Sequence, residues 1–427
     1  MTKKYFTDRE FFNKNFPAEC VIEMREQIRL WFYSLLFMSV TLTGKAPYKK
    51  VIGFGMLTAE DGSRFSKTGS NNIQLESACD TFTADAIRYM FAANNLLQDT
   101  RFGEGVIEEI RRKFLALWNS YVFFNTYAVL DNPQIAGFTP SVNDLDITDK
   151  WLLQLTNELI EKAHKAYQTN TLFNLTRDTE KYLDDLSNWY IRTNRKRFWK
   201  SEDAMDKKVA YYVLYTALKA VVQILAPITP FMCEYLWQNL VREIEKNEVE
   251  SVLLSTFPSQ VYDINEEKLS QQTEDVREVL TLAQRLRNEN NLKVKQPLQK
   301  MFICANEEVR EAVELYENIV KEELNIKEII FEDDVNVFND NYLVVNFKTA
   351  GAVLKGDVQK LKAALESLSA EEMQAAVDGY SRGNVNVKTF ENLAPNLFLL
   401  QNKAKPEFVI MTENNKTVVL DINLTEV

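Results

Sequence analysis

From Gly103 to about Leu240 the chain carries apolar residues at helical spacing almost without interruption, and that run constrains the fold more than any other feature. Helices are predicted over residues 104–128, 147–167, 172–198, 207–226 and 229–245. They are separated by a Pro-, Asn- and Asp-rich loop at 131–146 and by Pro227 and Pro230. Consecutive helices joined by short loops bury their apolar stripes only against one another, so this segment predicts a helical bundle.

The flanks read differently. Residues 1–98 alternate: a long helix from Glu23 to about Thr43 with Ile28, Trp31, Phe32, Leu35 and Leu36 on its apolar face, a strand over 50–56, a polar loop over 60–72 and a helix over 83–94. That density fits the closing part of an α/β domain and is too short for a whole one. After Phe257-Pro258 a charged helix over 265–290 precedes a strand at 299–304, a helix at 307–324 and β-prone runs at 328–332, 342–346, 385–388, 398–401, 408–411 and 417–422. The expected fold is mainly α with α/β and α+β parts. Its expected domains are 1–98, the end of a Rossmann-like domain; 99–262, the helical bundle; and 263–427, a small α+β domain.

Composition excludes several classes. A chain of 427 residues with 46% hydrophobic and 26% charged residues has material for ordinary cores, so disorder is not its theme. The net charge of -11 argues against coating nucleic acid by bulk electrostatics and for local basic patches. Cys20, Cys79, Cys233 and Cys304 lie far apart without a C-x-x-C, so no zinc or other metal site is expected, and the thiols read as buried small hydrophobes in a reducing compartment. His164, the one histidine, lies in the polar stretch KAHKAY and reads as a surface residue. The apolar run 30–40 is too short and too interrupted to span a bilayer, so no membrane is expected and the protein is placed in the cytoplasm.

One local patch stands out. Residues 187–200, SNWYIRTNRKRFWK, place Arg192, Arg195, Lys196, Arg197 and Lys200 beside Trp189, Tyr190, Phe198 and Trp199 with no carboxylate among them. Arg192, Lys196 and Lys200 recur every fourth residue and share a helix face. A solvated basic face with core aromatics would give the same pattern. The run nevertheless resembles the LSNWYxRxxRRRFW signature of the anticodon-binding helical domain of isoleucyl-tRNA synthetases. That resemblance implies tRNA contacts from Arg192, Arg195, Lys196, Arg197 and Trp199, with Trp199 expected to pack more than to stack.

A second set of residues follows the same resemblance. Between VIGFGML and ADAIRYMF lies Arg64-Phe65-Ser66-Lys67-Thr68, which by itself reads as a solvated loop but resembles the KMSKS loop of class I aminoacyl-tRNA synthetases. The resemblance implies that Lys67, assisted by Arg64 and Ser66, steadies the ATP phosphates as pyrophosphate leaves. A cation fixed where charge develops lowers the barrier, typically by about 2.7 to 4 kcal/mol for one such donor. Residues 23–33, EMREQIRLWFY, resemble the ExxDQxRGWFY segment of these enzymes and imply ATP and adenylate contacts from Glu23, Glu26, Gln27 and Trp31, with Thr68 from the loop. Glu26 replaces aspartate, Leu30 and Ser70 replace glycines, and Phe65 replaces methionine. Further matches, PAECVIE, RKFLALWNSYVFFNTYA, LAPITPFMCEYLWQNL, SVLLSTFP and NLKVKQPL, occur in family order over residues 15–300.

The family's His-x-Gly-His loop has no counterpart in a chain with one histidine. The resemblance therefore implies an isoleucine-tRNA ligase portion that binds tRNA(Ile) and uses ATP, Mg²⁺ and isoleucine only together with an N-terminal half carrying that loop. A catalytically inactive tRNA-binding paralogue is the alternative in a different class, and valyl or leucyl specificity the alternative within the same one.

Overall fold

The computed structural model describes residues 2–66, 73–200 and 203–423, and the chain divides into two compact units, 1–266 and 267–427. In the first unit, strands Ala18–Met24 and Tyr48–Phe54 run parallel, with Glu23 opposite Gly53 and Met24 opposite Phe54. Helix Trp31–Thr43 makes the crossover and ends on Gly44, whose φ of 69° is the left-handed cap that glycine adopts without strain. Two short strands, Leu57–Ala59 and Thr100–Phe102, form a second parallel pair.

The expected helix from Glu23 is corrected here: Glu23 lies in a strand, Arg25–Arg29 is a 3₁₀ turn, and the α-helix begins only at Trp31. The β-branched pair Val21-Ile22 lies opposite Val51-Ile52 of Tyr48–Phe54, and this tertiary pairing overrides the helical periodicity read across residues 23–36. The expected apolar face changes too, for only Phe32 of that set is buried, while Ile28, Trp31 and Leu36 are exposed.

The bundle begins with helix Glu104–Asp131, about 42 Å long at the usual rise. Helix Ile147–Thr169 follows, its start fixed by a capping box of Asp146 and Asp149. Helix Leu172–Asp184 then passes through a π-helical turn, Asp185–Ile191, into Arg192–Trp199. Helix Ala204–Leu225 is long and apolar enough to cross a membrane by length and composition, but most of it is buried among the other helices: Val209, Leu214, Leu218, Val221 and Ile224 are fully covered. Pro227 and Pro230 break the chain before Pro230–Leu236, which a second π turn, Trp237–Val241, joins to Arg242–Ile244. Tyr121 and Phe124 pack in the core as their spacing suggests, whereas Trp118 is partly exposed against Tyr235.

In the second unit, helix Leu269–Glu289 lies on a four-stranded sheet ordered Phe408–Glu413, Lys416–Asp421, Leu298–Cys304, Ile326–Phe331. The outer part pairs Asn339–Val345 with Phe398–Ala404 and adds helices Phe347–Leu354, Val358–Glu366 and Ala370–Arg382, which the sequence reading did not anticipate. Their core gathers Leu343, Ala350, Leu361, Val377, Val385 and Phe398. Cys233 and Cys304 are buried, and burial pushes the Cys233 thiol up to about 12; Cys20, against expectation, is exposed because it sits on the outer face of its strand.

Candidate functional site

Two groups of candidate residues lie in the first unit. The first sits at the carboxyl ends of the parallel strands Ala18–Met24 and Tyr48–Phe54, the edge where open α/β sheets bind ligands. Half-buried Glu23 closes its strand and accepts the Met24 N–H at 3.0 Å. Gln27 accepts the Trp31 N–H at 3.0 Å and so caps the helix that follows. Glu26 is exposed and pairs with Arg25 at 3.5 Å, while Arg25 also holds Asp99 at 2.9 Å and the Leu97 carbonyl at 3.0 Å.

This clasp draws residues 97–99 across the strand ends, and Gly55 makes room for them: a Cβ there would lie 2.2 Å from the Gln98 carbonyl oxygen. Leu30 occupies its position with φ of -117°, so no left-handed backbone requires the family's glycine. Trp31 leaves its indole 44% exposed at the same edge.

Arg64 and Ser66 follow on the surface. Arg64 bridges to Thr58, and Phe65 packs edge-on to Phe102 with ring centres 6.4 Å apart, which ties the start of the loop to the second parallel pair. Lys67 and Thr68, with Ser70, lie outside the described residues.

The second group is helix Arg192–Trp199. Arg192, Arg195, Lys196 and Lys200 are exposed, and Arg195 lies over the Phe123 ring at 6.0 Å. Trp199 is 54% exposed with Lys200 against its ring at 4.9 Å. The expectation that Trp199 packs is thus corrected: Phe198, at 0% exposure, takes the core slot against Tyr211 and Phe123, and the next residue along the helix faces away from it. Trp189 and Tyr190 are buried anchors.

Arg197 is the exception in the basic run, and its expected phosphate contact is corrected. Its guanidinium turns inward and donates to both oxygens of fully buried Asp149, at 2.9 and 2.8 Å, and to Asp206 at 2.9 Å. Tyr190 donates to the same Asp149 carboxylate at 2.7 Å, and Asn194 accepts from Arg197 at 3.0 Å. Burial pushes the Asp149 carboxyl up and Arg197 pulls it back; burial likewise works against the Arg197 charge, which Asp149 outweighs, leaving its pKa above the ordinary value. A guanidinium held this way fastens the basic helix to helix Ile147–Thr169 and presents its neighbours. Asp149 and Asp206 are residues the sequence alone did not single out, whereas Tyr190 was already named in the aromatic run; the capping box around Asp149 was the one legible signal of that carboxylate.

Comparison with known families follows this division. Residues 2–103 match the model of tRNA synthetases class I (I, L, M and V), and residues 149–302 match the anticodon-binding domain of tRNA ligase. The chain carries class I tRNA synthetase and anticodon-binding domains. It is 32% identical to the isoleucine–tRNA ligase of Clostridium novyi, over 99% of its own length and 41% of that protein. It is 33% identical to the isoleucine–tRNA ligase of Thermus thermophilus, over 99% and 41%, and 34% identical to isoleucine–tRNA ligase 2 of Bacillus cereus, over 99% and 40%. The chain thus spans about two-fifths of the length of the curated relatives it matches.

Proposed function

We propose that this chain supplies the phosphate-steadying loop and the tRNA grip of an isoleucine–tRNA ligase. The complete enzyme would join isoleucine to ATP with release of pyrophosphate and pass the aminoacyl group to the 3′ end of tRNA(Ile). The observation that carries this reading is the basic helix Arg192–Trp199 with its cap Lys200: four exposed cations and an exposed indole fastened by a buried ion pair, in one unit with a parallel sheet edge bearing Glu23, Gln27 and Trp31. Cations bind phosphates without regard to sequence, and an indole stacks on an unpaired base.

The catalytic part needs more strands. Two parallel strands alone do not make an independent sheet, since parallel sheets are buried on both faces. Here Ile22, Ile28, Leu30, Tyr33, Phe37, Met38, Val40 and Val51 are each 43–65% exposed around that pair. A segment carrying further strands and the His-x-Gly-His loop would cover them. Glu23, Glu26, Gln27 and Trp31 would meet the adenosine and adenylate, with Lys67, Arg64, Ser66 and Thr68 at the phosphates. Mg²⁺ would arrive on the ATP phosphates, as this hard cation commonly does; no group of three or more His, Cys, Asp or Glu side chains gathers among the described residues to hold a metal by itself.

The test is tRNA(Ile) binding by the full chain at several salt concentrations. Neutralising Arg192 and Arg195 should weaken binding and lower the salt slope by about one unit per lost phosphate contact. Unchanged binding would demote the helix to a surface feature.

A further inference from the structure

Asp85 and Arg88 stand one helical turn apart on helix Ala84–Ala93 and reach the bundle at the break between its last two long segments. Buried Asp85 accepts the backbone N–H groups of Met232 at 2.7 Å and Phe231 at 3.3 Å, donors in the first turn of Pro230–Leu236 that have no partner within their own helix. Arg88 donates through Nε to the Ile228 carbonyl at 2.9 Å and through Nη2 to the Pro227 carbonyl at 2.8 Å, just past the end of Ala204–Leu225. A carboxylate thus meets a helix N-terminus and a guanidinium meets the carbonyls after a helix C-terminus, each the sign that end favours.

The same helix starts from an unusual backbone. Thr83, a β-branched residue, holds φ 68° and ψ 145° where Leu75–Phe82 joins Ala84–Ala93. Such a conformation persists only where its surroundings over-determine it. The four hydrogen bonds of Asp85 and Arg88, whose side chains stand within the first two turns after Thr83, are surroundings of that kind.

We propose that Asp85 and Arg88 are positioning residues, a clamp that holds the Thr83 linkage and fixes the synthetase-type segment in orientation against the RNA-gripping bundle. The consequence for catalysis rests on the function proposed above. Amino-acid activation needs only the catalytic part, whereas transfer needs an RNA held by the bundle to deliver its 3′ end to the same centre, where misplacement is costly.

Two readouts test the clamp. In hydrogen exchange on the full chain, Arg88→Gln should speed exchange of amides in 84–93 and 227–233 about tenfold or more and leave Leu269–Glu289 as in the wild type. Adding Thr83→Gly should restore most of the protection, because glycine adopts that backbone without strain. Unchanged exchange in Arg88→Gln, or no recovery in the double variant, overturns the clamp. In a synthetase made by joining this chain to the remaining part of a catalytic domain, Arg88→Gln should slow transfer at saturating tRNA about tenfold while isoleucine-dependent ATP–pyrophosphate exchange stays within about twofold. Parallel loss of both would make Arg88 a plain stability residue. If the unmutated assembly performs no exchange, the functional reading falls, and hydrogen exchange alone decides the clamp.

Discussion

Arg195 and Arg197 stand two positions apart in one basic run, yet one faces solvent and the other lies against a buried carboxylate. Breaking a buried pair leaves an uncompensated charge, so Arg197→Met should destabilise the bundle by about 3–5 kcal/mol in urea unfolding. Arg195→Met should leave stability within about 0.5 kcal/mol while weakening RNA binding. Trp199→Ala should cost about 1–3 kcal/mol of tRNA binding in a filter assay without moving the thermal midpoint. If the midpoint falls instead, the indole is a packing group. The sequence could not separate these residues, because the partners of Arg197 are Asp149, 48 positions away, and Asp206, nine positions on. Nothing in a run of arginines marks which one such partners will take.

At the scale of elements, the bundle helices were legible because long amphipathic periodicity leaves little choice, and Glu104–Asp131 and Ala204–Leu225 fall within three residues of the predicted bounds. The 18–43 region was not, since its strand is defined by pairing with residues 48–54, and the short helices 347–382 carry too few turns to declare a period. The candidate site divides the same way: Gln27 and Trp31 were legible as a motif, but the clasp of Arg25 and Asp99 was not, because it joins residues 74 apart.

Two substitutions probe these elements. Gly55→Ala should lower the thermal midpoint by several degrees, because the new methyl group meets the Gln98 backbone and forces residues 97–99 off the strand ends. The end of helix Glu104–Asp131 supplies the other. Burial pushes the Asp131 carboxyl up, but Lys207 and Tyr211 outweigh it and hold its pKa below the ordinary value. Its stabilising contribution is therefore full above the ordinary carboxylate pKa of about 4 and lost as pH falls through the lower, folded value. Thermal midpoints of Asp131→Asn should consequently converge on those of the wild type as pH drops below about 4, and a constant gap would contradict the assignment.

For the whole molecule, the proposed role is to grip tRNA through the helical bundle and to bring Lys67 to ATP machinery completed by further strands. The apolar surround of the sheet, with Ile28, Leu30 and Phe37 more than half exposed, is the physical reason that role calls for a covering segment. Isoleucine-dependent ATP–pyrophosphate exchange is the decisive measurement. The chain alone should show no exchange, its combination with an N-terminal segment bearing the His-x-Gly-His loop should show it, and Lys67→Ala should remove most of that activity. Exchange by the chain alone, or undiminished exchange in Lys67→Ala, would contradict that role.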